Sequence, residues 1–235
     1  MVSCRTPLAV SLILLAAGLA ADPPRKMTLA FSEDFDAPAL DTSKWTMVAG
    51  LPPGNVRIEG GKLRLGVSRA PSGQWVGGAI VTRNRFEQAQ GYFEASVKFG
   101  RHQGHHAAFR LVPAQMKPSE KFAELYIAEG FGEDIVITWV RHNDGKALKE
   151  EKPRNLKPLP AGAAGSKFVT YGLEWGRREL TWYADGKKIH SLRLETPQEK
   201  LFMSLGSTVS EFELPKLDPS KLPDDAEVDW VKAWR

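Results

Sequence analysis

Apolar and polar residues alternate with a period of two along most of this chain, in short runs broken by turn residues. Val56-Arg57-Ile58-Glu59 and Lys62-Leu63-Arg64-Leu65 flank Gly60-Gly61, and a two-glycine turn between alternating segments predicts a β-hairpin. From Gly91 to Phe99, the set Tyr92, Glu94, Ser96 and Lys98 alternates with Phe93, Ala95, Val97 and Phe99. Residues 180–183 and 188–194 flank Asp185-Gly186, a second hairpin signal. Residues 228–234 form a last alternating strand. Helical periodicity of any length is absent. Many short strands between turn signals predict an all-β fold, a two-sheet antiparallel β-sandwich of the jelly-roll type.

The first residues stand apart from this texture. Arg5 precedes an apolar stretch, residues 8–21, broken only by Ser11 and Gly18, with small residues at Gly18, Ala20 and Ala21. That layout reads as a signal peptide over residues 1–21 with a cut after Ala20 or Ala21. The run is too short to span a bilayer comfortably, a retained anchor being the alternative. Residues 22–27, with Pro23, Pro24, Arg25 and Lys26, read as a linker, and residues 28–235 as one domain. The expected location is therefore secreted or periplasmic, with no stable membrane span after cleavage, and a monomer is expected. Cys4, the one cysteine, lies in the leader, so the exported chain has neither disulfides nor a thiol nucleophile. The net charge of +4 comes from basic residues scattered among acids, which argues against a nucleic-acid partner.

The chemistry concentrates in Glu124-Leu125-Tyr126-Ile127-Ala128-Glu129. Strand alternation puts Glu124 and Tyr126 on one face and Leu125 and Ile127 on the other. Five residues is an odd spacing, so Glu129 rejoins Glu124 only through a one-residue bulge, expected at Ala128. The Cα atoms then lie about 13 Å apart, and converging side chains bring the carboxyls to roughly 5–5.5 Å, the separation that glycoside cleavage with retention needs. The alternative is a solvated edge strand with two surface glutamates.

Several segments in shared order resemble glycoside hydrolase family 16, the laminarinase, lichenase and agarase group of concanavalin A-like jelly rolls. They are Phe31-Ser32-Glu33-Asp34-Phe35-Asp36 with Leu40-Asp41 and Lys44-Trp45; Ala79-Ile80-Val81-Thr82-Arg83 followed by Gly91-Tyr92-Phe93-Glu94-Ala95; Thr170-Tyr171-Gly172-Leu173-Glu174-Trp175 after Phe168; Trp182-Tyr183-Ala184-Asp185-Gly186; and Val228-Asp229-Trp230-Val231. The resemblance implies that Glu124 is the nucleophile and Glu129 the general acid/base of a polysaccharide hydrolase. It implies no organic cofactor. Some relatives hold a structural calcium near the opening and closing strands, for which Asp34 and Asp229 are the weak candidates here.

Two departures matter. The family's middle aspartate is replaced by Tyr126, which can donate a hydrogen bond to Glu124 but carries no charge at neutral pH. The family's Gly-x-Trp-Pro-Ala-Phe-Trp-Leu strand is Gly104-His105-His106-Ala107-Ala108-Phe109-Arg110-Leu111 here. Parity puts His106, Ala108 and Arg110 on one face, and Ala107, Phe109 and Leu111 between the sheets. Histidine and arginine thus replace the stacking tryptophans. Either they pair with acids on the cleft rim, or they form a cationic platform suited to an acidic or sulfated glycan.

Further candidates are less specific. His142 stands near a cleft-lining histidine of the family, though a strand-end surface residue is the alternative. Trp75, in a glycine-flanked loop, is the candidate for exposed stacking on sugar, whereas Trp175, Trp182, Trp230 and Trp234 read as packing residues. His102, His105 and His106 show no evident carboxylate partner, which argues against zinc. The expected function is an exported, endo-acting, retaining glycoside hydrolase acting on a β-glucan or galactan. Transglycosylation and a lectin-like binding protein are the alternatives.

Overall fold

The computed structural model describes residues 26–115, 122–132, 134–143, 146–148, 154–155 and 165–235. The expected leader, and most of the expected linker, lie outside them. In chain order the strands are β1 (Leu29–Glu33), β2 (Thr46–Met47), β3 (Val56–Ile58), β4 (Leu63–Leu65), β5 (Val67–Arg69), β6 (Trp75–Val81), β7 (Glu87–Gln88), β8 (Gly91–Lys98) and β9 (His106–Pro113). They continue as β10 (Phe122–Phe131), β11 (Asp134–Asn143), β12 (Lys146–Leu148), β13 (Arg154–Asn155), β14 (Val169–Trp175), β15 (Glu179–Ala184), β16 (Lys187–Arg193), β17 (Leu201–Thr208) and β18 (Ala226–Trp234). Among the described residues the only helical pieces are three-residue 3₁₀ turns, and no helix is long and apolar enough to cross a membrane.

The strands form two antiparallel sheets. One has the order β16-β15-β14-β8-β18-β4-β3, with β1 on β18; the other runs β12-β11-β10-β9-β17-β6-β2, with β13, β5 and β7 attached at its flanks. The anticipated hairpins are present. Glu59 N–H donates to the Lys62 carbonyl across Gly60 and Gly61, whose φ values of 61° and 68° suit glycine and match strand twist. Asp185 and Gly186 turn β15 into β16 with φ of 46° and 71°.

Alternation decides what lies between the sheets. On β9, Ala107, Phe109 and Leu111 are buried while His106, Ala108 and Arg110 are half-exposed on the other face. Trp45, Trp175, Trp182, Leu173 and Met203 close the same core. Fully burying a large aliphatic side chain contributes about 1.5–3 kcal/mol, so the parity of β9 alone fixes which of its faces meets the groove.

The far side of the first sheet departs from simple wet-face alternation. Tyr92 and Glu94 are 1% and 0% exposed, although they alternate with core residues. Trp234 and Tyr183 cover them, with ring centroids 5.5 and 5.8 Å from Tyr92. The Tyr92 hydroxyl donates to Glu94 Oε1 at 2.7 Å. Trp230 is also buried on this face, with Lys232 Nζ 4.9 Å from its ring centroid. All four tryptophans assigned to packing are therefore buried, two between the sheets and two on the outer face.

Burial pushes the Glu94 carboxyl from the ordinary 4.5 up to about 7, the Tyr92 bond and nearby Lys232 opposing the shift. The folded value lies above the unfolded one, so the neutral acid favours folding. The contribution is fully present below pH about 4.5 and is lost as pH rises through about 7. Wild-type stability is expected to fall by about 3 kcal/mol between pH 4.5 and 8.5 from this group. Glu94→Gln, which still accepts from Tyr92, removes that loss; urea unfolding at the two pH values checks it.

Candidate active site

The geometry of the site is set by β10. Leu125 pairs with Trp139 and Leu111, and Tyr126 with Thr138 and Arg110. The register then slips: Glu129 pairs with Val136 and Ala108, so Ile127 and Ala128 together face the single residue Ile137. The bulge exists, but Ala128 still pairs with Phe109 and Ile127 is the extra residue against β9. Both are buried, at 1% and 0% exposure. Two consecutive inward side chains return Glu129 to the face of Glu124 and Tyr126. Trp182, reaching across from the opposite sheet, donates its Nε1–H to the Tyr126 carbonyl next to the slip at 2.9 Å.

Register then lays the floor of a groove across the strands. One row runs Tyr126, Arg110, Ser204, Val81 and Thr46. The next runs Glu129, Ala108, Gly206 and Ala79, small residues beyond the acid. A third holds Phe131, His106 and Thr208. The cavity over this face has a volume of about 1010 Å³ and reaches Met47, Val48 and Leu51 at and after β2, and the 83–85 turn that follows β6.

Both glutamates are 7% exposed, and each has a cationic or imidazole neighbour. Arg110 Nη1 lies 3.1 Å from Glu124 Oε1 and donates to the Tyr126 hydroxyl at 2.8 Å; that hydroxyl in turn donates to Glu124 Oε2 at a long 3.5 Å. Burial works against the charge of Arg110, yet Tyr126 and Glu124, with Glu129 behind them, outweigh it and raise its pKa. Burial drives the Tyr126 phenol up to about 12, against the pull of Arg110. The phenol therefore remains a donor at neutral pH. His106 Nε2 lies 3.0 Å from Glu129 Oε1, and its ring stacks on Phe131 with centroids 4.4 Å apart.

His106 and Arg110 thus pair with acids, Glu129 and Glu124, as one of the two alternatives from the sequence expected. The guanidinium of Arg110 is directed at Glu124 and the Tyr126 hydroxyl. The other histidines need correction, because His102 and His105 do have a carboxylate: Asp224 Oδ2 lies 3.3 and 3.5 Å from their ring nitrogens. Asp224 also accepts the backbone N–H groups of Arg101 and His102. Burial lowers the pKa of His105. The sequence hid this partner because it lies on a distant loop.

Trp75 begins β6 opposite Arg69, half-buried, and does not line the groove. His142 lies on β11 opposite Phe122; its side chain is outside the described residues. Asp229 Oδ1 is 3.1 Å from Lys62 Nζ, and Asp34 Oδ1 accepts the Asp36 N–H at 3.4 Å. Sequence reasoning missed Trp182 as the clamp of the bulge and Phe131 as the support of His106. Phe131 was readable, since it lies two residues past Glu129 on the same face; the role of Trp182 was not.

The two-sheet jelly roll thus carries both glutamates on one face of a kinked strand whose Tyr126 lines the cavity. Residues 52–232 match Glycosyl hydrolases family 16, and the chain belongs to that family. The endo-1,3-1,4-beta-glycanase ExsH of Rhizobium meliloti (strain 1021) is 28% identical over 165 residues, covering 68% of this chain and 33% of that protein, so the chain spans a third of that relative. The laminarinase from Flavobacterium sp. UMI-01 superposes with a TM-score of 0.74 at 19% identity, over 88% of this chain and 100% of that one. The laminarinase from Rhodothermus marinus gives 0.75 at 18% identity, over 89% and 98%. At such identities the structures speak for the shared fold.

Trp182→Phe is expected to lower the unfolding free energy by about 1–3 kcal/mol, the cost of leaving the Tyr126 carbonyl buried without a donor. Urea denaturation measures it.

Proposed function

We propose that the protein is an exported, monomeric, endo-acting glycoside hydrolase that cleaves internal bonds of a β-linked polysaccharide, a β-glucan or galactan, with retention of anomeric configuration. The observation that carries this reading is the placement of Glu124 and Glu129 on one face of β10, both acting on the same guanidinium and the same phenol. The groove crosses the strands as an open trough, which suits a chain bound along its middle. The leader-like residues 1–21 support export.

In this mechanism a Glu124 oxygen attacks the anomeric carbon while the glycosidic C–O bond breaks. Glu129 gives its proton to the departing oxygen. The carboxylate left on Glu129 then takes a proton from water, which attacks the glycosyl-enzyme and releases Glu124. Arg110 and Tyr126 orient Glu124 through the bonds described, and His106 orients Glu129. Tyr126 takes over the hydrogen-bonding part of the family aspartate's role, while the charge beside the nucleophile changes sign because Arg110 stands there. A sugar in place of water would give transglycosylation by the same intermediate.

A lectin-like reading has one observation in its favour: each glutamate is already engaged by Arg110 or His106. Reducing-end release from a panel of β-glucans and galactans separates the two. Hydrolysis is expected for the wild type, with Glu124→Gln reduced at least about 10³-fold. Glu129→Gln is expected to lose roughly 10²–10⁴-fold on polysaccharide but much less on aryl glycosides whose leaving group needs no proton. Binding without release of ends on every substrate would establish the lectin.

Arg110 acts through Glu124, so Arg110→Ala is expected to lower kcat on neutral and anionic substrates alike. Arg110→Lys, lacking the planar fork that spans carboxylate and phenol, recovers only part of it. Steady-state kinetics on a matched pair of neutral and carboxymethylated β-glucans reads this directly.

A further inference from the structure

Positive charge that is not directed at the glutamates lies on the turn that follows β6 and lines the cavity, a turn no catalytic role uses. Arg83, Asn84 and Arg85 line the cavity together, and all three are exposed. Among the described residues lining this cavity there is no aspartate or glutamate. The turn is held rigid at its base by Thr82. Its carbonyl accepts the N–H groups of Arg85 at 2.9 Å and Phe86 at 2.8 Å, and its hydroxyl donates to the Phe86 carbonyl at 2.8 Å. The same hydroxyl oxygen accepts the Met203 N–H at 2.9 Å, tying the turn to β17. Asn84, between the two arginines, sits at φ 61°, a conformation asparagine tolerates better than most residues.

The two guanidiniums differ in their bonding. Arg83 Nη2 donates to the Ala114 carbonyl, and its guanidinium lies 5.7 Å from the centroid of the Phe202 ring, which itself lines the groove. That fixes one planar donor group against the wall. Arg85 makes no side-chain hydrogen bond or ion pair among the described residues. Glu87, the acid nearest in sequence, has Oε1 at 3.1 Å from the Asn84 N–H as its acceptor role and forms no ion pair with either arginine among the described residues. Arg110, by contrast, is paired with Glu124.

Resting on the reading of this groove as a glycan cleft, we propose that the Arg83–Asn84–Arg85 turn is a subsite for an anionic substituent, a sulfate ester or a carboxylate, on a sugar bound away from the cleaved bond. Two guanidiniums present paired N–H donors that match the oxygens of either group. The turn reaches that substituent while the sugar ring lies on the small-residue floor of Ala79, Ala108 and Gly206. Selectivity for charge therefore belongs to a peripheral subsite and not to the catalytic centre.

Isothermal titration with the Glu124→Gln variant tests this, using oligosaccharides from one β-galactan before and after chemical desulfation and from a β-glucan before and after carboxymethylation. The expected result is tighter binding of at least one charged form than of its neutral parent, with a preference that shrinks as salt rises from 50 to 300 mM. Arg85→Ala is expected to weaken that form roughly fivefold and its neutral parent hardly at all. Arg83→Ala,Arg85→Glu is expected to erase or invert the preference, with a melting temperature close to that of the parent showing that the fold is kept. The pair that responds distinguishes sulfate from carboxylate recognition. Equal affinity for charged and neutral forms of both polymers, or a preference untouched by Arg83→Ala,Arg85→Glu, overturns the proposal. Failure of the hydrolase reading shows separately, as wild-type protein that binds these glycans and releases no reducing ends.

Discussion

One extra residue in one strand holds the active-site geometry together. An uninterrupted β10 would aim Glu129 into the apolar layer between the sheets, where an unpaired carboxylate is prohibitively costly. Ile127 and Ala128 absorb the frame shift by both turning inward, and the Trp182 indole donates to the Tyr126 carbonyl next to the slip. The bulge is therefore fixed by packing on one face and by a hydrogen bond from the other sheet. The distance between the sheets and the aim of the glutamates are set by the same contact.

Around that strand the electrostatics have been rearranged without losing balance. Between the glutamates stands the phenol of Tyr126, with the guanidinium of Arg110 beside it from the neighbouring strand. Burial keeps the phenol protonated, so it bridges Arg110 and Glu124 as acceptor and donor in turn. The result is an acid pair with one cation beside it. The arginine that sequence parity offered to a substrate is already paired with Glu124.

Much of this was legible in the residues. Gly60-Gly61 and Asp185-Gly186 announced their hairpins because few other residues accept those φ values. The parity of Ala107, Phe109 and Leu111 against His106, Ala108 and Arg110 placed a core face and a groove face correctly. What failed did so for reasons of distance. Spacing can demand one bulged residue between Glu124 and Glu129 but cannot choose Ile127 over Ala128, because both are apolar and both end buried. Asp224 could not be paired with His102 and His105, nor Glu124 with Arg110, since nothing local joins them. Trp75 looked exposed beside its glycines, yet pairing with β5 holds it out of the groove.

The sheet that lacks the active site has its own consequence. Its middle is occupied by β18, which hydrogen-bonds to β8, β4 and β1. Segments from opposite ends of the sequence must therefore meet before the centre of that sheet exists, and such long-range closure is slow. Until β18 docks, β8 offers a bare edge and the Tyr92 and Glu94 side chains stay wet. The backing of the groove on the opposite sheet thus depends on a strand whose partners come from three distant stretches of the sequence.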